Sequence, residues 1–208
     1  MLELNNVKIE WLGHSGFRIT GKIIIYIDPF HIDSGERAGL ILITHSHYDH
    51  CSLEDLKKIA GKGTMIIAPP DCLSQIRKID GIEIKIANPD EKIEEKGIVI
   101  ETVPAYNIKK QFHPRDNNWL GYVITIEGKR IYHAGDTDFI PEMRSLKDID
   151  VAMLPVGGTY TMDAKEASEA ANSFSPKIAV PMHYGSIVGK KEDAEEFMAL
   201  FHGEAKII

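Results

Sequence analysis

Three histidines and an aspartate lie within one eight-residue segment, residues 44–51, which reads THSHYDHC. His45 and His47 alternate, so in an extended segment both imidazoles project to the same side and can bind one metal ion. Asp49 and His50 follow in a turn, where adjacent side chains diverge and can serve a second ion a few ångströms away. A polar loop whose histidines bond only to backbone or water is the structural alternative. The spacing favours a metal site.

Two more candidate ligands follow strand-like segments much later in the chain. Asp136 lies in HAGDTD and His183 in PMHYG. Taken alone, an aspartate after a glycine is typical of a turn, and a single histidine is typical of a satisfied core or surface group. Loops at the ends of buried strands are nevertheless where sites are built on a rigid scaffold. Together with residues 44–51, these two side chains complete a plausible ligand set.

The elements that must position these residues alternate between short β-branched runs and amphipathic helices. Residues 122–126 and 129–133, joined by Glu127-Gly128, predict a β-hairpin. Helices are predicted after Ser52, with a reciprocal cap from Asp55, and over residues 163–173 and 190–201. This pattern predicts an α/β fold with two sheets between outer helices, a four-layer αββα arrangement. The other predicted strands cover residues 7–11, 23–27, 40–43, 64–68, 82–86, 98–103, 151–154 and 178–181.

Composition restricts the class of protein further. The 208 residues suit a single domain, residues 1–208, with an ordinary globular composition. A net charge of -7 without a basic cluster argues against nucleic acid as a partner. The sequence shows no secretory signal and no apolar run long enough to insert stably in a membrane, which predicts a cytoplasmic protein. Only Cys51 and Cys72 are present, too few for a disulfide scaffold.

The motifs taken together resemble the metallo-β-lactamase superfamily, whose signature is HxHxDH followed by a further His, a bridging Asp and a final His. The surrounding sequence segments resemble the branch of small stand-alone hydrolases. These segments are WLGHSGF, IDPF, IYHAGDTD, TYTMDAKEA and VPMHYG. That branch includes relatives of the ascorbate-phosphate lactonase and of the phospholipase D that acts on N-acyl-phosphatidylethanolamine. The resemblance implies a metallo-β-lactamase-like sandwich and six metal ligands: His45, His47, Asp49, His50, Asp136 and His183.

One position departs from the signature. Where the superfamily carries its middle His, this chain reads VPAYNIKKQFH, with Asn107 at about the expected place. Three alternatives are open: Asn107 supplies an oxygen ligand, His113 reaches in from the loop, or the first ion has one protein ligand fewer. We favour His113.

Other residues near these motifs have candidate roles beside the metals. His14 and Asp28 match superfamily words near the site and could orient ligands, since carboxylates commonly hold metal-bound imidazoles. Tyr160 could line the substrate cleft. Cys51 is expected to pack in the core rather than to bind metal. His31 and His202 have no companions at ligand spacing. His133, one strand position before the Gly-Asp turn, is expected to be a packed strand residue.

The resemblance implies a hydrolase with two divalent metal ions, zinc first and manganese or iron as alternatives. Asp136 would bridge the ions, Asp49 would assist proton transfer, and a metal-bound hydroxide would attack an ester, lactone or phosphodiester. The substrate is expected to be a small molecule, and the cations of residues 109–118 would suit an anionic one. Alternative functions are an iron-dependent oxidoreductase of the same fold, a ribonuclease-like phosphodiesterase, and a metal-binding module without turnover.

Overall fold

The computed structural model describes residues 1–208. The first half of the chain forms a seven-stranded sheet whose strands lie in chain order. The first four strands pair antiparallel and the last four pair parallel. The parallel strands at its centre are wholly buried and apolar, as expected for strands covered on both faces. The strands are β1 (Leu2–Leu4), β2 (Val7–Gly13), β3 (Gly16–Thr20), β4 (Ile24–Ile27), β5 (Leu40–Leu42), β6 (Met65–Ala68) and β7 (Glu83–Ile86).

The second half forms another seven-stranded sheet, in which the strands again lie side by side in chain order. Its first four strands pair antiparallel, and the remaining strands continue in parallel. The inner faces of the two sheets share one large apolar core. The strands are β8 (Lys92–Glu95), β9 (Ile98–Pro104), β10 (Leu120–Ile126), β11 (Lys129–His133), β12 (Val151–Pro155), β13 (Ile178–Met182) and β14 (Glu204–Ala205).

Helices cover the outer faces of both sheets. Helices α1 (Leu53–Ile59) and α2 (Leu73–Ile76) pack through Leu56 and Ile76 against the outward residues of β5 and β6. Helices α3 (Ala164–Phe174) and α4 (Lys191–Leu200) contact β12 and β13 of the second sheet. The four layers confirm the predicted αββα class. None of these helices combines the length and the apolarity needed to cross a bilayer.

Local predictions can be compared with individual elements. The hairpin of β10 and β11 has the predicted register, Tyr122 opposite His133 and Ile126 opposite Lys129. Both turn residues, Glu127 and Gly128, have positive φ, as the tight hairpin turn requires. The remaining predicted strands are present, with ends that shift by at most two residues.

The predicted reciprocal cap of α1 is only half correct. The Ser52 side chain accepts a hydrogen bond from the Asp55 backbone, as predicted. The Asp55 carboxylate does not return to the Ser52 backbone. It accepts instead from the backbone nitrogens of His31 and Ile32, and so fastens the loop after β4 to the helix.

Candidate metal centre

The candidate ligands converge because the strands that carry them end at one edge of the two sheets. His45 follows β5, Asp136 follows β11 and His183 comes directly after β13. A backbone hydrogen bond from Leu120 at the start of β10 to Thr44 joins the two sheets at this edge. His45, Asp136 and His183 are each at least 95% buried.

One group consists of three imidazoles: those of His45, His47 and His113 offer nitrogen atoms that lie within 4.8 Å of one another. His45 Nε2 is 3.0 Å from His47 Nδ1, so the two imidazoles converge, as their alternation in the sequence predicted. His45 Nδ1 is engaged with the Thr44 hydroxyl at 2.9 Å, which leaves Nε2 to face the group. Three nitrogen ligands suit a zinc site with an open position.

Asn107 holds His113 rather than joining this group. Its Oδ1 accepts hydrogen bonds from the His113 backbone nitrogen at 3.0 Å and from His113 Nδ1 at 3.1 Å. Its Nδ2 donates to Asp138 Oδ1 and to the Tyr160 carbonyl. The amide is thus fully occupied. Of the three alternatives for the middle ligand, the structure brings His113 to the group and turns Asn107 away from it.

A second group contains one carboxylate and three imidazoles: Asp49, His50, His183 and His14 offer ligand atoms within 4.8 Å of one another. His14 Nε2 lies 3.0 Å from Asp49 Oδ2. Because an ionised carboxylate can only accept, His14 Nε2 must carry the proton in this bond. His14 therefore orients Asp49, in keeping with the role expected from the sequence.

Asp28 and Thr44 fix His50 from the opposite side. Asp28 Oδ2 accepts from His50 Nδ1 at 2.7 Å and from the Thr44 hydroxyl at 2.5 Å, while Oδ1 accepts from the Thr44 backbone at 2.8 Å. With its Nδ1 engaged by Asp28, His50 directs Nε2 toward Asp136 and the site. This is the carboxylate–histidine pairing that commonly supports a metal ligand.

Asp136 lies between the two groups. Its Oδ2 is 3.0 Å from His183 Nε2 and 3.2 Å from His113 Nε2, and its Oδ1 is 3.5 Å from His50 Nε2. Three of these buried atoms, Asp136 Oδ1, His50 Nε2 and His113 Nε2, have no hydrogen-bond partner. Unsatisfied buried polar atoms are costly and rare, so several of them facing one another indicate a missing cationic ligand.

The protonation states agree with this arrangement. Burial alone would raise the pKa of Asp136, but His183 and His50 beside it hold that pKa well below its usual range. Burial, together with the neighbouring His50, places the pKa of His45 well below the ordinary histidine value. For His50, burial favours the neutral ring, but Asp136 and Asp28 raise its pKa well above the ordinary value. The negative charge of Asp136 and Asp28 that raises the pKa of His50 would also attract a metal cation.

The turn between β2 and β3 of the first sheet, which contains His14 and Ser15, is hydrogen-bonded to the second sheet. His14 has a positive φ of 50°, and its carbonyl accepts from the backbone nitrogen of His183 at 2.8 Å and from Trp11 Nε1 at 2.9 Å. The neighbouring Ser15 carbonyl lies 2.9 Å from His133 Nε2. His133 is therefore a packed strand residue with a structural partner, as the sequence suggested.

Sequence reasoning missed the supports of the three-imidazole group. The Trp119 ring lies against that group, with ring centroids 4.7 Å from His45, 4.8 Å from His47 and 5.5 Å from His113. Its indole nitrogen donates to Asp71 Oδ2 at 2.7 Å. In the sequence, one feature indicated a role for Asp71: it follows the end of a predicted strand, directly after Pro69 and Pro70.

Asp138 is a second support that sequence reasoning missed. Besides Asn107, it accepts from the backbone of Ile108 and from Lys110 Nζ at 2.6 Å. These bonds fasten the start of the loop that delivers His113. The repeated aspartate in GDTD was the available signal.

The side chains of Cys51, His31 and His202 lie apart from both groups. Cys51 is buried in the core beneath α1, and His31 and His202 are exposed. Tyr160 lines a cavity of about 230 Å³ that opens onto His47, Asp49, His113, Asp136 and His183.

Known proteins similar to this chain in sequence or in fold agree in class. A family model described as a β-lactamase superfamily domain matches residues 8–183. A UPF0173 metal-dependent hydrolase from Thermoplasma acidophilum is 37% identical over 95% of this chain and 92% of its own length. The chain therefore belongs to the metallo-β-lactamase superfamily, in its branch of small stand-alone metal-dependent hydrolases.

Solved structures support the same assignment. A crystal structure described as a metal-dependent hydrolase from Parabacteroides distasonis superposes with a TM-score of 0.87 at 34% identity, covering 97% of this chain and 92% of that one. A structure from Thermotoga maritima, described as a Zn-dependent hydrolase of the metallo-β-lactamase superfamily, gives 0.65 at 25% identity, with 94% and 86% covered. The family and the enzyme class predicted from the sequence are confirmed.

Proposed function

We propose that the chain hydrolyses an ester, lactone or phosphodiester with two divalent metal ions, zinc foremost, held on either side of Asp136. The observation that carries this proposal is the position of the Asp136 carboxylate, within 3.5 Å of His50, His113 and His183 nitrogens. His45, His47 and His113 would hold one ion. Asp49, His50 and His183 would hold the other. The sulfur-free set of imidazoles and carboxylates suits zinc, with manganese or iron as alternatives.

When bound, such a pair of ions lowers the pKa of a shared water and polarises the oxygen of the substrate. The chain's own residues contribute orientation and proton handling. Asn107 and Asp28 hold the Nδ1 protons of His113 and His50, so that both Nε2 atoms face inward. Asp49, held by His14 at one oxygen, keeps its other oxygen for an ion or for a proton from the attacking water.

The test is a hydrolysis screen of the zinc- and manganese-loaded protein against esters, lactones and phosphodiesters, with elemental analysis of every preparation. Wild-type protein should carry two ions per chain and turn over at least one class. Asp136→Ala should lose both bound metal and turnover, whereas Asp33→Ala, which alters an exposed aspartate, should retain both. Two equivalents of iron with oxygen consumption would instead establish the oxidoreductase alternative. Hydrolysis that survives in Asp136→Ala would disprove the mechanism.

A further inference from the structure

We propose that the substrate of this site is an uncharged carboxylic ester or lactone with a short apolar arm. This inference rests on the proposed function and adds the substrate class. The site opens into a cavity of about 230 Å³. That volume is below the range of roughly 300–1,000 Å³ usual for pockets that take drug-sized ligands, so the substrate must be small.

The walls of the cavity are apolar and aromatic. Beyond the five candidate ligands, its lining consists of Tyr48, Phe112, Tyr160 and Ile187. Phe112 and Tyr160 pack edge to face, with ring centroids 4.7 Å apart. Tyr48, Phe112 and Ile187 are 68%, 48% and 40% exposed, although large apolar side chains gain free energy by leaving water. Exposed apolar side chains concentrated around one concave site indicate a ligand that covers them.

The same loops carry these walls and the candidate ligands. Tyr48 lies between His47 and Asp49 in the chain, and Phe112 directly precedes His113. The hydrogen bonds from the backbone and ring of His113 to Asn107 therefore also fix the backbone position of Phe112. An apolar arm bound against these walls would hold the reacting carbonyl carbon at a set position above the metal ligands.

No arginine or lysine lines the cavity. Two of the three cations that the sequence placed nearby have acidic partners outside the cavity, and the third, Lys109, is exposed and does not line it. Lys110 Nζ lies 2.6 Å from Asp138, and Arg115 pairs with Glu142 at 3.1 Å while its guanidinium lies over Tyr106. A phosphate monoester or a carboxylate-bearing substrate would thus have the metal ions alone, and no fixed positive side chain, to balance its charge. A neutral carbonyl group needs none.

The reaction for such a substrate is simple hydrolysis. The oxygen of water forms a bond to the carbonyl carbon, and the bond from that carbon to the alcohol oxygen breaks. The alcohol leaves with a proton taken from the water, and the carboxylic acid remains. Asp49 is the residue placed to carry that proton between the two oxygens.

The experiment compares p-nitrophenyl acetate, butyrate and hexanoate with p-nitrophenyl phosphate and bis(p-nitrophenyl) phosphate on the zinc-loaded enzyme. We expect kcat/KM to rise about 15-fold from acetate to butyrate, since each of the two added methylenes gives about fourfold when fully buried. Both phosphates should be poorer substrates than the butyrate. Ile187→Ser and Phe112→Ser should reduce the chain-length effect while leaving metal content unchanged. Met198→Ser, which alters an exposed apolar residue of α4, is the matched control.

A charge variant and a binding measurement complete the test. Ile187→Lys should raise the rate on bis(p-nitrophenyl) phosphate relative to the butyrate ester at least tenfold. Calorimetry should show hexanohydroxamate binding the zinc-loaded protein more tightly than acetohydroxamate, with the difference reduced in Ile187→Ser. If the hydroxamates show this effect but no ester is hydrolysed, the proposed function fails and the apolar site stands. If esters are hydrolysed with no chain-length effect, or p-nitrophenyl phosphate is preferred, the substrate class is overturned.

Discussion

Asn107 Oδ1 accepts hydrogen bonds from both the backbone nitrogen and the ring Nδ1 of His113, at 3.0 and 3.1 Å. The Tyr160 carbonyl is a second acceptor for the same ring nitrogen, at 3.2 Å. Because both partners can only accept, the proton of the neutral ring is placed on Nδ1, and Nε2 is free to bind a cation. Asn107 stands at about the chain position of the superfamily's middle histidine, whereas His113 supplies the imidazole in the site. Asn107 thus sets the tautomer of His113.

The first prediction concerns this pair. Asn107→Ala should weaken zinc binding at the three-imidazole group about 10- to 100-fold, the usual cost of losing a partner that orients a ligand. The second ion should be retained. Zinc titration by calorimetry, with Asn117→Ala at an exposed loop position as control, measures the effect. Unchanged affinity in Asn107→Ala would show that His113 does not depend on Asn107.

Trp119 provides a spectroscopic test of the same group. Its ring lies within 5.5 Å of all three imidazoles, so a paramagnetic Co²⁺ ion bound there should quench Trp119 fluorescence. In Trp11→Phe, where Trp119 is the one remaining tryptophan, the fluorescence should still be quenched by Co²⁺. Fluorescence of Trp11→Phe that is unchanged by bound cobalt would show that cobalt does not bind beside Trp119.

Asp28 should control the second ion. In Asp28→Asn, the amide can no longer accept all three bonds from His50 and Thr44 with the strength of a carboxylate. We expect metal affinity at the group of Asp49, His50 and His183 to fall about 10- to 100-fold. Asp33→Asn on the surface is the control, and elemental analysis after dialysis at limiting zinc is the measurement. Full occupancy of both sites in Asp28→Asn would contradict the orienting role.

Asp55 should make folding stability depend on pH. Burial alone would raise its pKa, but hydrogen bonds from Ser52, Lys58 and the His31 backbone lower that pKa below the ordinary value. A carboxylate with a lowered folded pKa stabilises the fold above the unfolded pKa of about 3.9, and this contribution is lost as pH falls through the folded value. Asp55→Asn should therefore cost about 2 kcal/mol at pH 7, and the difference from wild type should shrink toward pH 3.

Urea unfolding of the metal-free protein between pH 7 and pH 3.5 measures this difference. Glu54→Gln is the matched control, because the Glu54 side chain is 85% exposed in the same first turn of α1. A stability difference for Asp55→Asn that does not change with pH would show that the Asp55 charge is not involved.

Sequence patterns predicted the layers and the strand ends that carry the candidate ligands, because both depend on local periodicity. The hairpin between Tyr122 and His133 followed from its turn residues alone, and His45, Asp136 and His183 followed from motifs at strand ends. At the irregular position, the favoured residue, His113, lies with His45 and His47 in the three-imidazole group.

The supports of the site could not be predicted, since they depend on contacts between distant segments. The Trp119 indole meets Asp71 across 48 residues, and Asn107 meets Asp138 across 31. No local pattern distinguishes such an aspartate from an ordinary turn residue. The ion pairs of Lys110 with Asp138 and of Arg115 with Glu142 depend on distant segments in the same way.

The central claim is that two ions flank the Asp136 carboxylate. Anomalous diffraction at the zinc edge from crystals of the zinc-loaded protein tests it most directly. We expect two peaks per chain, one for each ion. Asp136 should bind both ions, and His113 Nε2 should bind the ion that also contacts His45 and His47. A single peak, or two peaks with His113 turned away from both, would contradict it.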